Sequence, residues 1–156
     1  MIDEKNFTKY LSRHEIDAAV QNIAHRLNQD YEGKQVVLVG VLKGAILFIA
    51  DLVRHLKFDA EIEFVRLSSY GKARTSTGTV TILKDIGADI RGKHVLIIEE
   101  IIDSGRTLRF LYDRLLSSGP ATVEIVTLLD KTAKRVAEVP VKYVGRAIDD
   151  QFLVGY

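Results

Sequence analysis

Val95-Leu96-Ile97-Ile98-Glu99-Glu100-Ile101-Ile102-Asp103-Ser104-Gly105-Arg106-Thr107-Leu108 is the stretch on which the reading of the chain turns. Four apolar residues without alternation mark a strand covered on both faces. They lead into two carboxylates, two more apolar residues, a third carboxylate and a small-residue turn. Beyond the turn Leu108, Leu111, Tyr112 and Leu115 recur at i, i+3, i+4 and i+7, one face of a helix. The pattern predicts a buried strand, an acidic tip, a glycine turn and a helix. Open α/β sheets bind ligands at the carboxyl ends of their strands, and the first amides of a helix favour anions. The carboxylates just before those amides favour cations and hydroxyls. A ligand carrying phosphate, sugar hydroxyls and a divalent metal answers both.

Working outward, strand and helix patterns alternate, which indicates parallel βαβ units in an α/β fold. Ile16, Ala19, Val20, Ile23, Ala24 and Leu27 share a helical face. Val36 to Leu42 is a continuous apolar run broken by Lys43-Gly44, and Ala45, Phe48, Ile49, Leu52, Val53 and Leu56 form a second amphipathic helix. Ala60 to Leu67 alternates charged and apolar residues, as a strand nearer the sheet edge does. Ser68 to Thr81 is rich in Ser, Thr, Gly, Lys and Arg, and is expected to be a mobile loop leading into a short strand around Val80 to Lys84. Ile86 to Lys93 reads as a turn region. Thr122 to Leu129 is a further buried strand, Val139 to Val144 another, and Ile148 to Tyr156 a polar turn followed by apolar residues.

At 156 residues the chain is expected to be one domain, 1–156, and at this size roughly 70% of the unfolded surface can be buried. There is no cysteine, so disulfides, thiolate metal sites and a cysteine nucleophile are excluded. Lys and Arg number 22 against 21 Asp and Glu, a net charge of +1. A nucleic-acid binder usually carries a basic excess or stripe, and none is evident, so no nucleic-acid partner is expected. No apolar run approaches the length of about 20 residues that spans a bilayer, and the polar N-terminus is unlike a signal peptide. The expectation is a cytoplasmic protein without a membrane partner. There is no Gly-x-Gly-x-x-Gly or P-loop pattern, and His14, His25, His55 and His94 lack metal-ligand spacing.

Each candidate residue also has a plainer local account. Asp103 could be an ordinary helix N-cap, and Lys43-Gly44 a simple strand-to-helix turn. Ser68 to Thr81 could be a solvated surface loop, Lys131 an exposed strand-end charge, and Phe152 a core aromatic.

The run Ile98 to Leu108 resembles the phosphoribosyl-pyrophosphate (PRPP) signature of type I phosphoribosyltransferases, and within them the 6-oxopurine (hypoxanthine-guanine) group. Further motifs follow in that family's order. Leu42-Lys43-Gly44 resembles its pyrophosphate-binding loop, with the Leu42–Lys43 peptide expected to be cis. Leu67-Ser68-Ser69-Tyr70-Gly71 resembles the start of its mobile lid, and Leu129-Asp130-Lys131 and Asp150 to Tyr156 its purine-binding elements.

The resemblance implies a mostly parallel twisted sheet flanked by helices, with a core of about 30–145 and a small hood from the N-terminal segment and 146–156. It implies transfer of a phosphoribosyl group from PRPP to N9 of hypoxanthine or guanine, giving IMP or GMP and pyrophosphate with Mg2+. In that frame Glu99 and Glu100 hold the ribose hydroxyls and metal, and Asp103 moves the proton at purine N7. Asp103, Ser104, Gly105, Arg106 and Thr107 cradle the 5′-phosphate, while Leu42, Lys43, Gly44 and Arg135 meet pyrophosphate. Ser69 and Tyr70 form the tip of a mobile lid. Lys131 donates to O6, Phe152 stacks on the base and the Leu153 backbone meets its edge. A homodimer or homotetramer is expected by analogy.

Two related functions share the signature: a sister enzyme preferring xanthine or another base, and a nucleotide-sensing RNA-binding regulator on the same fold. The second should expose a basic face. The family's acidic pair is usually Glu-Asp, so Glu100 adds a methylene, and Ser104 stands where threonine is usual. The family pattern continues beyond the position of Tyr156 with an aspartate that helps bind a second magnesium and an arginine that contacts pyrophosphate.

Overall fold

In the computed structural model, which describes residues 7–70 and 79–156, the apolar runs become adjacent strands of one six-stranded sheet. In chain order the elements are α1 (Arg13–Asp30), β1 (Val36–Leu42), α2 (Ala45–Val53), β2 (Ala60–Tyr70), β3 (Thr79–Lys84), β4 (His94–Ile102), α3 (Arg106–Leu116), β5 (Thr122–Asp130) and β6 (Val141–Ala147). The sheet order is β3-β2-β1-β4-β5-β6, parallel throughout except where β3 returns antiparallel to β2.

Side-chain alternation on β1 and β4 divides the interior into two layers. Val36 and Leu38 with Leu96 and Ile98 face α1 and α2, joining Val20, Ile23, Leu27, Phe48 and Leu52. Val37, Val39, Val95 and Ile97 face α3 and its Leu108, Leu111 and Leu115. Both faces of the two central strands are therefore covered, which is why their sequences run apolar without alternation. A capping box starts α1: Glu15 N donates to Ser12 Oγ, and Ser12 N donates to Glu15 Oε2 at 2.8 Å.

Several boundaries differ from the sequence reading, each for a local reason. Ser68, Ser69 and Tyr70 are not loop but the end of β2, in register with Thr81, Val80 and Thr79 of β3. Ladder hydrogen bonds outweigh their polar composition. The remainder of the expected loop, 71–78, lies outside the described residues. β4 runs through Glu99 and Glu100 to Ile102, so the acidic pair belongs to the strand rather than to a turn after it. β6 starts at Val141, because Pro140 has no N–H to offer a ladder, and continues to Ala147. Beyond β6, Leu153 and Tyr156 pack on the same core layer as Leu11 from the other end of the chain, and Arg146 pairs with Glu15 at 3.0 Å. Among the described residues no helix is long and apolar enough to cross a membrane.

Candidate active site

The site follows from where the two central strands part. β1 and β4 are paired from Val36↔His94 to Gly40↔Ile98, whereas Val41 and Leu42 have partners on the β2 side only. From β1 the chain winds outward to β2, and from β4 outward the other way to β5. This reversal of strand order opens a crevice at the carboxyl ends of the strands. The loop after β1 borders it. The Leu42–Lys43 peptide is cis, as expected. A Cβ on Gly44 would lie 3.2 Å from Glu100 Oε2 and 3.9 Å from Glu99 Oε1. Gly44 at the end of this loop and the two glutamates thus meet at the crevice, and a side chain at position 44 would crowd the Glu100 carboxylate.

Glu99 and Glu100 are half-buried at the sheet end. Burial pushes the Glu99 carboxyl up to about 8; a hydrogen bond donated by Glu100 N (2.9 Å) opposes the rise, and the charges of Glu100 and Asp103 add to it. Burial also raises Glu100. Among the described residues no cation offsets either charge, and no group of three or more His, Cys, Asp or Glu forms a ready metal cage. A pair of hard, destabilised carboxylates suits Mg2+, which protein holds through one or two carboxylates while substrate oxygens and water complete its shell.

Behind the acids the chain turns into α3. Gly105 takes φ 80°, a left-handed conformation, and α3 begins at Arg106 without a cap from the Gly105 position; a long 3.4 Å contact from Arg106 N to Ser104 Oγ is the side-chain bond at its first amide. Arg109 N donates to the Gly105 carbonyl at 2.8 Å, starting the helix ladder. Asp103 is not the helix cap. Its carboxylate accepts from Lys131 Nζ at 3.2 Å, and the Lys131 side chain is only 7% exposed while that of Asp103 is 58% exposed. Lys131 is therefore a buried cation at the crevice floor, not an exposed strand-end charge, and its N–H donates to the Ile102 carbonyl at 3.0 Å.

The expected site residues do not all come together. Arg135 was expected to meet pyrophosphate together with the Leu42-Lys43-Gly44 loop. Its guanidinium instead forms an ion pair with Asp130, and its stem lies behind Gly105, where a Cβ would be 2.8 Å from Arg135 Cδ and 2.8 Å from the Ala137 carbonyl. Phe152 is 86% exposed, so it is no core aromatic, while Leu153 packs on the core beside it. Ser69 is exposed in β2.

Residues without a predicted role also shape the site. Asp130 is buried and holds Arg135. Val136 and Ala137 N–H groups both donate to the Ser104 carbonyl, at 2.9 and 3.0 Å. Thr127, fully buried, donates to the Leu129 carbonyl at 2.9 Å beside the strand that carries Glu100. For the first of these the sequence signal was its place in the Leu129-Asp130-Lys131 motif, which carried no individual role for Asp130.

Residues 7–156 match the family described as phosphoribosyl transferase domain. The chain belongs to the phosphoribosyltransferase family. It is 44% identical over 149 residues to hypoxanthine phosphoribosyltransferase of Haemophilus influenzae, covering 94% of this chain and 83% of that protein. It is 42% identical to the hypoxanthine-guanine phosphoribosyltransferase of Streptococcus pneumoniae, covering 98% of this chain and 86% of that one. The crystal structure of a Staphylococcus aureus hypoxanthine phosphoribosyltransferase superposes with a TM-score of 0.92 at 42% identity, covering 96% of this chain and 81% of that one.

The buried acid of this phosphoribosyltransferase has a measurable signature. An unfolded glutamate ionises near its ordinary 4.5, whereas folded Glu99 holds its proton to about 8. The folded state therefore binds the proton more tightly, and stability of the ligand-free protein falls as pH rises through that window and levels off above it. Glu99→Gln cannot ionise and escapes the loss. Its melting temperature, relative to wild type, is expected to rise by on the order of 5 °C between about pH 5 and about pH 8.5. Thermal melts with a pH-independent difference would count against a buried, uncompensated Glu99.

Proposed function

We propose that the protein transfers the 5-phosphoribosyl group of PRPP to N9 of hypoxanthine or guanine, releasing pyrophosphate and forming IMP or GMP in purine salvage. The observation that carries this reading is the Lys131–Asp103 pair, a buried donor 3.2 Å from an acceptor, set between the acid pair and the start of α3. A 6-oxopurine presents the complementary pair on neighbouring positions, an acceptor at O6 and a proton at N7. Adenine presents an amino group where Lys131 also donates, so the site disfavours it.

The bond from the anomeric carbon to pyrophosphate breaks and the bond to N9 forms. Glu99 and Glu100 hold the ribose hydroxyls and Mg2+, and their negative charge stabilises the oxocarbenium character of the ring. Bound Mg2+ would neutralise the leaving pyrophosphate. Asp103 takes the N7 proton as the purine becomes a nucleophile. Ser104, Gly105, Arg106 and Thr107 present amides and hydroxyls to the 5′-phosphate at the helix start. Lys43 and Gly44 receive pyrophosphate on the opposite lip. Phe152 is free to stack on the base, with the Leu153 backbone at its edge. The ribbon ending at Ser69 and Tyr70 carries the lid that closes over the reacting centre. The N-terminal segment and residues 146–156 form the hood. A cytoplasmic homodimer or homotetramer belongs to the same reading, and Ile46 and Leu47, exposed on α2, supply an apolar face that a second copy would cover.

The test is a PRPP- and Mg2+-dependent assay with hypoxanthine, guanine, xanthine and adenine. Turnover is expected with the first two, and turnover confined to another base, or none at all, would overturn the assignment. In that assay Asp103→Asn should lower kcat roughly 10–1,000-fold with modest loss of PRPP affinity, and unchanged kcat would remove its role as base. Lys131→Ala should raise KM for guanine and hypoxanthine by about 10-fold or more over any change for PRPP. Equal losses for both substrates would take Lys131 out of the base pocket.

A further inference from the structure

Arg135 and Asp130 form an ion pair largely shut off from water, with side chains 18% and 9% exposed. Desolvating two charges makes such a pair a poor source of stability by itself. Its position offers another account. Arg135 Cδ would be 2.8 Å, and Nε 3.4 Å, from a Cβ on Gly105, so the stem and the base of the guanidinium lie against the back of the turn that starts α3. Arg135 Nε is buried without a hydrogen-bond partner. The next two residues fasten the same turn, since Val136 N and Ala137 N both donate to the Ser104 carbonyl. The front of the turn is where α3 starts, with no cap from the Gly105 position and only a long 3.4 Å bond from Arg106 N to Ser104 Oγ.

We infer that Arg135, held by Asp130, is a positioning residue for the 5′-phosphate loop. This rests on the PRPP reading above. Its stem fills the space behind Gly105 and keeps the turn in the left-handed conformation that aims the Ser104 to Thr107 amides outward. Its cation, set behind those amides, adds to the field that a phosphate dianion meets at a helix start. Asp130 fixes the guanidinium from the far side, so that the arginine acts through the loop rather than reaching past it to the ligand. Lys131 is held independently, by its own N–H on the Ile102 carbonyl and its ammonium on Asp103. Losing the Arg135 side chain should therefore be felt by the phosphoribosyl substrate and hardly by the purine.

The experiment compares wild type, Arg135→Met and Arg135→Lys in steady-state kinetics for PRPP and hypoxanthine, and in calorimetric binding of ribose 5-phosphate. Arg135→Met, which keeps an apolar stem and drops the charge, should raise KM for PRPP about 10-fold or more while kcat and KM for hypoxanthine stay within about threefold. Ribose 5-phosphate affinity should fall in parallel. Arg135→Lys, which restores charge without the planar fork, should recover part of the loss and sit between the two. If Arg135→Met does not fold, a PRPP KM raised about threefold or more in Arg135→Lys, with hypoxanthine KM unchanged, carries the same comparison. A wild-type PRPP KM in the folded variants, a loss in kcat alone, or equal KM losses for both substrates would overturn the inference and leave the proposed reaction standing. Weaker ribose 5-phosphate binding in the variants of a protein that turned over no purine would fault the reaction and keep the loop assignment.

Discussion

Burial of the Glu99 carboxyl at the parting of β1 and β4 is the constraint on which the rest of the site depends. Continuous apolar strands make the sheet centre dry on both faces, and that dryness extends to the residue where β4 outlasts its pairing with β1. A carboxyl there holds its proton to about 8, beside a second raised acid. Among the described residues the Glu100 N–H meets the ionised carboxylate, but no cation offsets its charge. The neighbouring loop responds with glycine at position 44, which brings backbone rather than a side chain against the acids. A stable core does not need this arrangement, whereas a ligand bringing a divalent cation and hydroxyls would complete it.

The second organising contact is the segment after β5. One short stretch carries the cation that pairs with Asp103, the ion pair behind Gly105 and the two amides on the Ser104 carbonyl. Asp103 with Lys131 and the turn that starts α3, proposed as the purine and phosphate sides, are thereby hung on the same piece of backbone. Its own mooring continues through the Ile148 N–H on the Asp130 carbonyl and the Lys134–Asp150 pair, which tie it to the loop that presents Phe152 and Leu153. In the proposed reaction, relative placement of the two substrates would then depend on local backbone hydrogen bonds.

Much of this was legible in the sequence where the signal was local. The apolar runs of β1, β4 and β5, the 3.6-residue period of α1 and α3, and the glycine turn before α3 all report environments set by near neighbours. Boundaries set by partners were not. Ser69 and Tyr70 form strand because β3 returns to pair with them, and Glu99 and Glu100 are extended because β5 pairs alongside. The burial of Lys131 and the turning of Arg135 toward Asp130 are long-range results of packing against the helix-start turn. No spacing rule in the chain announces them. The order of short motifs pointed to the family, while geometry alone placed Arg135 on Asp130 behind Gly105.

The proposal that Glu99, protonated and without a cation against it among the described residues, takes a divalent cation with its sugar phosphate has a direct calorimetric test. Titrating Mg2+ and PRPP together into the protein at about pH 7, in buffers of different ionisation enthalpy, gives the number of protons exchanged on binding. With the Glu99 carboxyl held up to about 8 in the free protein, the account predicts net release of close to one proton per site, strongly reduced in Glu99→Gln. Binding with no proton release in wild type, or with release unaltered by that substitution, would contradict it.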